Sequence, residues 1–181
     1  LSEMCLSIKY RGPDDYGIYL SGFDASSHRF VKVGLGHNRL SIIDLSRAGH
    51  QPMSNEDQSI WLTYNGEIYN FLELREQLVG KGHIFRSRTD SEVIVHGYEE
   101  WGEGCINRLN GMFAFALWDE RIESLMLVRD RMGQKPIYYS SADNHIIFAS
   151  EPKAILKFPA FEKKIDLLSL RKYFIYEFVP S

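Results

Sequence analysis

Met112-Phe113-Ala114-Phe115-Ala116-Leu117-Trp118 is the run that decides the fold. It is nearly all apolar and does not alternate. Bounded by Gly111 and Asp119, it predicts a strand buried on both faces, so layers must lie above and below it. Toward the C-terminus, Leu125 to Val128, Pro136 to Tyr139 and Ile146 to Ala149 continue as strands joined by short turns. A short helix near Glu151 to Lys157 and a last one near Leu167 to Tyr176 close the chain. Toward the N-terminus, Val93, Ile94, Val95, Tyr98 and Trp101 supply the apolar surface of a helix starting near Asp90. Thr89 and Glu92 there have capping-box spacing. Before it, Phe71, Leu74 and Leu78 share one face of a helix over Phe71 to Val79. Asn70 and Glu73 fit its cap, and Gly80 and Gly82 stop it.

Ser59 to Tyr64 reads as a strand ending at Asn65-Gly66, a sharp-turn signal. Ser41 to Met53 reads as irregular. Gly17 to Leu20 and Phe30 to Arg39 are strand-like, with Asp24 to Arg29 as a hairpin loop between them. Arg11 to Asp15 breaks an opening amphipathic helix carrying Leu1, Met4, Cys5 and Ile8. Hairpins in runs, helices in runs and a doubly buried strand predict an α+β fold, satisfied by two stacked sheets with helices outside.

The chain has 181 residues, 44% hydrophobic and 25% charged, as expected of one domain with a sizeable core. A net charge of −3 gives no field favouring nucleic acid or an anionic membrane. No apolar run reaches the ~20 residues of a membrane span, and Leu1 to Lys9 lacks a signal-peptide pattern. These features predict a cytosolic protein without nucleic-acid or membrane partners. Cys5 and Cys105 lack metal-ligand spacing. Both sit on apolar faces, which marks them as packing thiols of raised pKa. No metal site is expected in this chain.

Five polar clusters carry candidate chemistry. Arg11-Gly12-Pro13-Asp14-Asp15 reads alone as a capped turn. In Gly36 to Asp44, Arg39 could grip a carboxylate with its planar fork or pair structurally with Asp44; the two readings weigh evenly. In Tyr64-Asn65-Gly66-Glu67-Ile68-Tyr69-Asn70, the Asn65 side chain and Gly66 N–H could form an oxyanion hole, although local sequence favours a plain turn. Asp90 could accept from an ammonium or cap the following helix, and capping is the commoner role. Val128 to Pro136, with alternating charges before Gly133, reads as a salt-bridged loop.

Taken in this order, Arg11 to Asp15, Leu35 to Ser46, Gln51-Pro52-Met53, Tyr64 to Phe71, Thr89 to Glu92, Gly111 to Asp119, Arg129 to Pro136 and Ala149 to Lys153 resemble the class II glutamine amidotransferase domain of asparagine synthetases. The resemblance spans essentially the whole chain. It implies an N-terminal nucleophile hydrolase fold, a four-layer αββα sandwich of two mostly antiparallel sheets between helices. It implies that Arg39 binds the α-carboxylate of glutamine and that Asp90 and Glu67 bind its α-ammonium. Asn65 and Gly66 would form the oxyanion hole, with Leu40 and Ile42 lining the pocket. In such enzymes an N-terminal Cys attacks the side-chain amide, and its own α-amine acts as base.

Three departures stand out. Residue 1 is Leu, so the first strand with its Cys-Gly-Ile opening is missing. Tyr10 stands where the family usually has His. The Ser-Gly-Gly-x-Asp-Ser pyrophosphate loop is absent. The resemblance therefore implies a chain trimmed at both ends, with an amidotransferase domain over 1–160 and the connection to a synthetase domain over 161–181. These residues alone are expected to be inactive and to need no cofactor; ATP and Mg belong to the synthetase domain. The implied partners are glutamine and that C-terminal domain, with a homodimer as a possible assembly. The rival reading is a non-catalytic glutaminase-like domain for ligand sensing or subunit contact, as in β-lactam synthetase-like proteins.

Overall fold

The computed structural model describes residues 1–22, 32–142 and 145–179. The decisive run forms β5 (Gly111–Asp119), whose last seven residues are all buried. It pairs antiparallel with β4 (Ile60–Ile68) on one side and β6 (Ser124–Arg129) on the other. Two-residue β3 (Met53–Ser54) completes a four-stranded sheet in the order β3-β4-β5-β6. Two hairpins stand apart: β1 (Asp15–Leu20) with β2 (Gly34–Arg39), and β7 (Tyr138–Ala142) with β8 (His145–Ala149).

Strand alternation decides what each face meets. Ile60, Leu62, Tyr64 and Ile68 of β4 pack with Phe113, Phe115 and Leu117 of β5 against α2 (Phe71–Gly80) and α3 (Glu92–Trp101). Leu74 and Leu78 supply the buried face of α2; Val93, Ile94 and Val95 serve α3. On the opposite face, Ala116 and Trp118 pack with Leu35, Tyr19 and Phe148 from the two hairpins. Tyr19 stacks on Trp61 with ring centroids 4.0 Å apart. A third cluster joins α1 (Ser2–Ser7) to β8 and α4 (Pro152–Ile155) through Met4, Ile147, Ala154 and Ile155. Helix α5 (Leu167–Tyr176) ends the described chain, capped by Asp166, which accepts from Leu168 N and Ser169 N. The α+β reading holds. Among the described residues no helix is long and apolar enough to cross a membrane.

Several local expectations are corrected. Asn65-Gly66 is not a turn. The β4–β5 ladder runs on through both residues to Ile68, with Asn65 opposite Ala114 and Gly66 opposite Phe113. Asn70 does not cap α2; its side chain ties Arg108 O and Asn110 N instead. Glu92 reaches back to Arg86 N and Ser87 N rather than to a cap at Thr89. Among the described residues the 129–135 loop carries no salt bridge. Asp130 accepts backbone N–H bonds from Phe113, Met132, Gln134 and Lys135, and Arg129 donates to the carbonyls of Gly133 and Lys135. The loop expected over Asp24 to Arg29 lies outside the described residues.

Candidate functional site

A cavity of about 540 Å³ opens between β2 and the β4–β5 face. Arg39, Leu40, Ile42, Asn65, Gly66, Glu67 and Asp90 all line it. Residues separated by more than fifty positions in the chain therefore share one hollow, and the strand period explains how. Along β2, Leu35, His37 and Arg39 share one face; Leu35 packs on β5 and His37 meets Thr63 of β4. The other face carries Gly36 and Asn38 and lies against α1: a Cβ on Gly36 would overlap Cys5 Sγ, and Asn38 Nδ2 donates to Cys5 O at 2.7 Å. Along β4, Thr63, Asn65 and Glu67 alternate with core-facing Leu62, Tyr64 and Ile68, so they look into the cavity.

Arg39 is buried, at 7% exposure. Its guanidinium donates to the backbone carbonyls of Ser46, at 3.0 Å, and of Asp44. The Asp44 carboxylate is not its partner. That group accepts from Arg88 N and Ser46 N, which hold its pKa down at about 2. Among the described residues no carboxylate lies within ion-pair reach of Arg39. A buried guanidinium without a counter-ion is costly unless an anion joins it. Gly49 makes room for it, because a Cβ there would overlap the guanidinium.

Asp90 is buried and does not cap α3. Its Oδ2 accepts from Tyr64 Oη at 2.6 Å and from Ile68 N at 2.8 Å. Burial, with the Asp90 charge beside it, raises the Tyr64 hydroxyl pKa, so Tyr64 stays a donor. Gln51 Oε1 accepts from Tyr64 N at 2.7 Å. The N–H groups of Tyr64 and Ile68 thus point away from β5, along an edge that β3 leaves open beyond Leu62. Antiparallel alternation aims Gly66 N–H along the same edge, midway between them. Beside it, Asn65 Nδ2 is buried and has no hydrogen-bond partner among the described residues. Gly66 must lack a side chain because a Cβ would overlap Met112 O across the ladder. Glu67 is half-buried and has no hydrogen-bond partner among the described residues. Leu40 and Ile42 form the exposed rim.

Reading by sequence motif quotes Gln51 within Gln51-Pro52-Met53 without a role and gives Gly49 none. Gln51 blocks one edge donor and Gly49 admits the guanidinium; neither carries a local signal of such a role. The expected packing of the thiols holds: Cys5 and Cys105 are buried, and burial raises both, Cys105 to about 11. Tyr10 lies on the outside, where its hydroxyl donates to Glu151 at 2.6 Å and its ring sits under Lys153.

The glutamine amidotransferase domain family matches residues 1–181. The chain is 39% identical over 181 residues to asparagine synthetase [glutamine-hydrolyzing] 1 of Bacillus subtilis, covering 100% of this chain and 27% of that protein. It is 44% identical over 159 residues to asparagine synthetase [glutamine-hydrolyzing] 2 of the same organism, covering 88% of this chain and 20% of that protein. The chain thus spans about a quarter of the length of the curated relatives it matches. Among solved structures, glutamine phosphoribosylpyrophosphate amidotransferase from B. subtilis superposes with a TM-score of 0.57. It covers 67% of this chain and 28% of its own at 23% identity, a likeness of fold alone.

Proposed function

We propose, from the premise that this chain belongs to the glutamine amidotransferase domain family, that its cavity binds free glutamine for hydrolysis within an asparagine synthetase. The observation that carries the reading is the buried Asn65 Nδ2, without a hydrogen-bond partner among the described residues, beside the Gly66 N–H that strand alternation turns to the open edge, in a cavity that also holds a guanidinium without a carboxylate partner. Arg39 would take the α-carboxylate in its planar fork. Asp90, with Oδ1 uncommitted, and Glu67 would take the α-ammonium. Asn65 and Gly66 would stabilise the oxyanion as the side-chain amide becomes tetrahedral. Leu40 and Ile42 would close the rim.

In the longer protein an N-terminal cysteine thiolate would form the S–C bond. The C–N bond then breaks, ammonia leaves with a proton, and water cleaves the thioester. The ammonia would meet an ATP-activated aspartate in a synthetase domain, which also holds the magnesium. A cytoplasmic location fits that chemistry. A polypeptide of residues 1–181 alone carries no N-terminal cysteine and is expected to release no ammonia from glutamine. Measurable release above buffer would refute that expectation.

The amidotransferase unit is assigned to 1–160 and the connection to 161–181. The two hairpins, β1–β2 and β7–β8, would form one layer opposite the four-stranded sheet. With α1 and α4 on one outside and α2 and α3 on the other, these layers would make the four-layer sandwich. A non-catalytic sensing domain is the weaker reading, since such a domain has no use for unspent oxyanion donors.

Calorimetric titration with glutamine tests the pocket. Arg39→Ala should abolish binding, and Asn65→Ala should weaken binding of a tetrahedral analogue more than of glutamine. Unchanged glutamine affinity in Arg39→Ala would remove the assignment.

A further inference from the structure

Outside the residues that line the cavity, α3 and the turn after α2 gather two imidazoles and a carboxylate. His96 and Glu99 share a helix face at i and i+3, and His83 reaches them from the turn after α2. One donor atom from each lies within 4.8 Å of the other two. His96 Nδ1 is 2.9 Å from Glu99 Oε2, and His83 Nδ1 is 3.8 Å from the same oxygen. Ligands on a tetrahedral ion with bonds of about 2.0–2.1 Å stand roughly 3.4 Å apart, so the two distances bracket the value required.

The surroundings are those of a ligand set held in place. The His96 side chain is 3% exposed. Its ring is wedged between Phe85 at 4.6 Å and His83 at 5.1 Å, centroid to centroid. Its Nε2 faces Glu92 at 3.6 Å and Glu56 at 3.9 Å. His96 Nδ1 and Glu99 Oε2 now share a hydrogen bond, so an ion taking both atoms would displace that proton, with Glu92 and Glu56 on the Nε2 side of the ring as outer carboxylates. Glu92 is itself fixed by Arg86 N, Ser87 N and Ser87 Oγ. Glu99 Oε1 is fixed by Asn55 Nδ2 at 2.9 Å. Backbone anchors His83, whose N–H donates to Leu78 O at 3.1 Å. Charge points the same way. Glu56, Glu92, Glu99 and Glu100 face the two rings, and in the ion pairs of the described residues only Lys81 offsets them.

We infer that His83, His96 and Glu99 form a binding site for a divalent transition-metal ion, with Zn2+ the best match to two imidazoles and one carboxylate. The side chains of His83 and Glu99 are 17% and 20% exposed, so the fourth position opens to water. The ion would clip the 81–86 turn to α3 and act as a structural staple. The inference does not depend on the glutamine reading. Cysteine spacing could not foretell the site, because its three ligands come from two parts of the chain and none is Cys.

The test uses the purified 181-residue chain after treatment with chelator. Titration with Zn2+ should give one equivalent bound, with a raised Tm, while Mg2+ should give neither. Co2+ should produce visible d–d bands without a thiolate charge-transfer band. Since His96→Ala could simply unfold the core, the decisive variants are His83→Gln and Glu99→Gln, which reach the surface. Each should weaken Zn2+ binding at least ten-fold while the metal-free variant still melts in one cooperative transition. Absence of saturable binding, a thiolate band, or unaltered affinity in either variant would overturn the site.

Discussion

His37 shows how a single residue couples the cavity to stability. Its Nδ1 meets Thr63 Oγ1 at 3.1 Å, in a wall shared with Arg39. Burial, then the Arg39 charge, lowers its pKa from the ordinary imidazole value to about 4. Between those two values the unfolded chain binds a proton that the folded chain refuses. Stability from this group is therefore complete above about pH 6.5 and is lost as pH falls toward about 4, by at most about 3 kcal/mol. Urea denaturation at pH 7 and pH 5 should show the loss in the parent chain and a flatter dependence in His37→Gln. An equal loss in both would place the acid sensitivity elsewhere. At Gly49, steric crowding replaces charge: Gly49→Ala pushes a methyl into the Arg39 guanidinium. Glutamine affinity should then fall about ten-fold or more, while β2 and its hairpin remain. Calorimetry on this variant against the parent chain checks it.

At the scale of elements, β4 divides what sequence conveys from what it does not. Its apolar run, and those of β5 and α3, were legible because hydrophobic periodicity is a local property. The Asn65-Gly66 pair was misread because Asn-Gly looks alike in a two-residue turn and in a strand crowded by its neighbour. Only the strand alongside distinguishes them, where Met112 O lies against Gly66, and that contact spans 46 positions. The same limit explains Asp90, Asn70 and Glu92. Each carries a capping signature, and each spends its side chain on backbone elsewhere. The resemblance brought Arg39, Asn65, Gly66, Glu67 and Asp90 together as one set; composition and spacing alone did not. A glycine pair tests the account of β4. Gly66→Ala should destabilise the chain by about 1–3 kcal/mol, since neither Met112 O nor Phe113 can withdraw without breaking the ladder. Gly80→Ala, at the open end of α2, should stabilise it by about 0.5–1 kcal/mol. Chemical denaturation should move the two midpoints in opposite directions, and a shared direction would contradict the ladder contact.

Across the whole molecule, the packed clusters stop at Phe161, and α5 contributes no buried residue. Leu167, Phe174 and Phe178 are 74%, 77% and 61% exposed, with Leu168, Tyr173, Ile175 and Tyr176 also at the surface. Exposed apolar area on this scale marks an interaction surface and leaves little for it to add to the stability of the body. The curated relatives extend well beyond the matched length. A chain ending at Glu162 should therefore keep its unfolding free energy, measured by denaturant titration, within about 0.5 kcal/mol of the full 181 residues, because surface changes away from packed contacts seldom cost more. It should also self-associate less in sedimentation velocity at high concentration. A loss of stability well beyond that margin would mean that α5 docks on the body, and the boundary near residue 160 would have to move to the C-terminus.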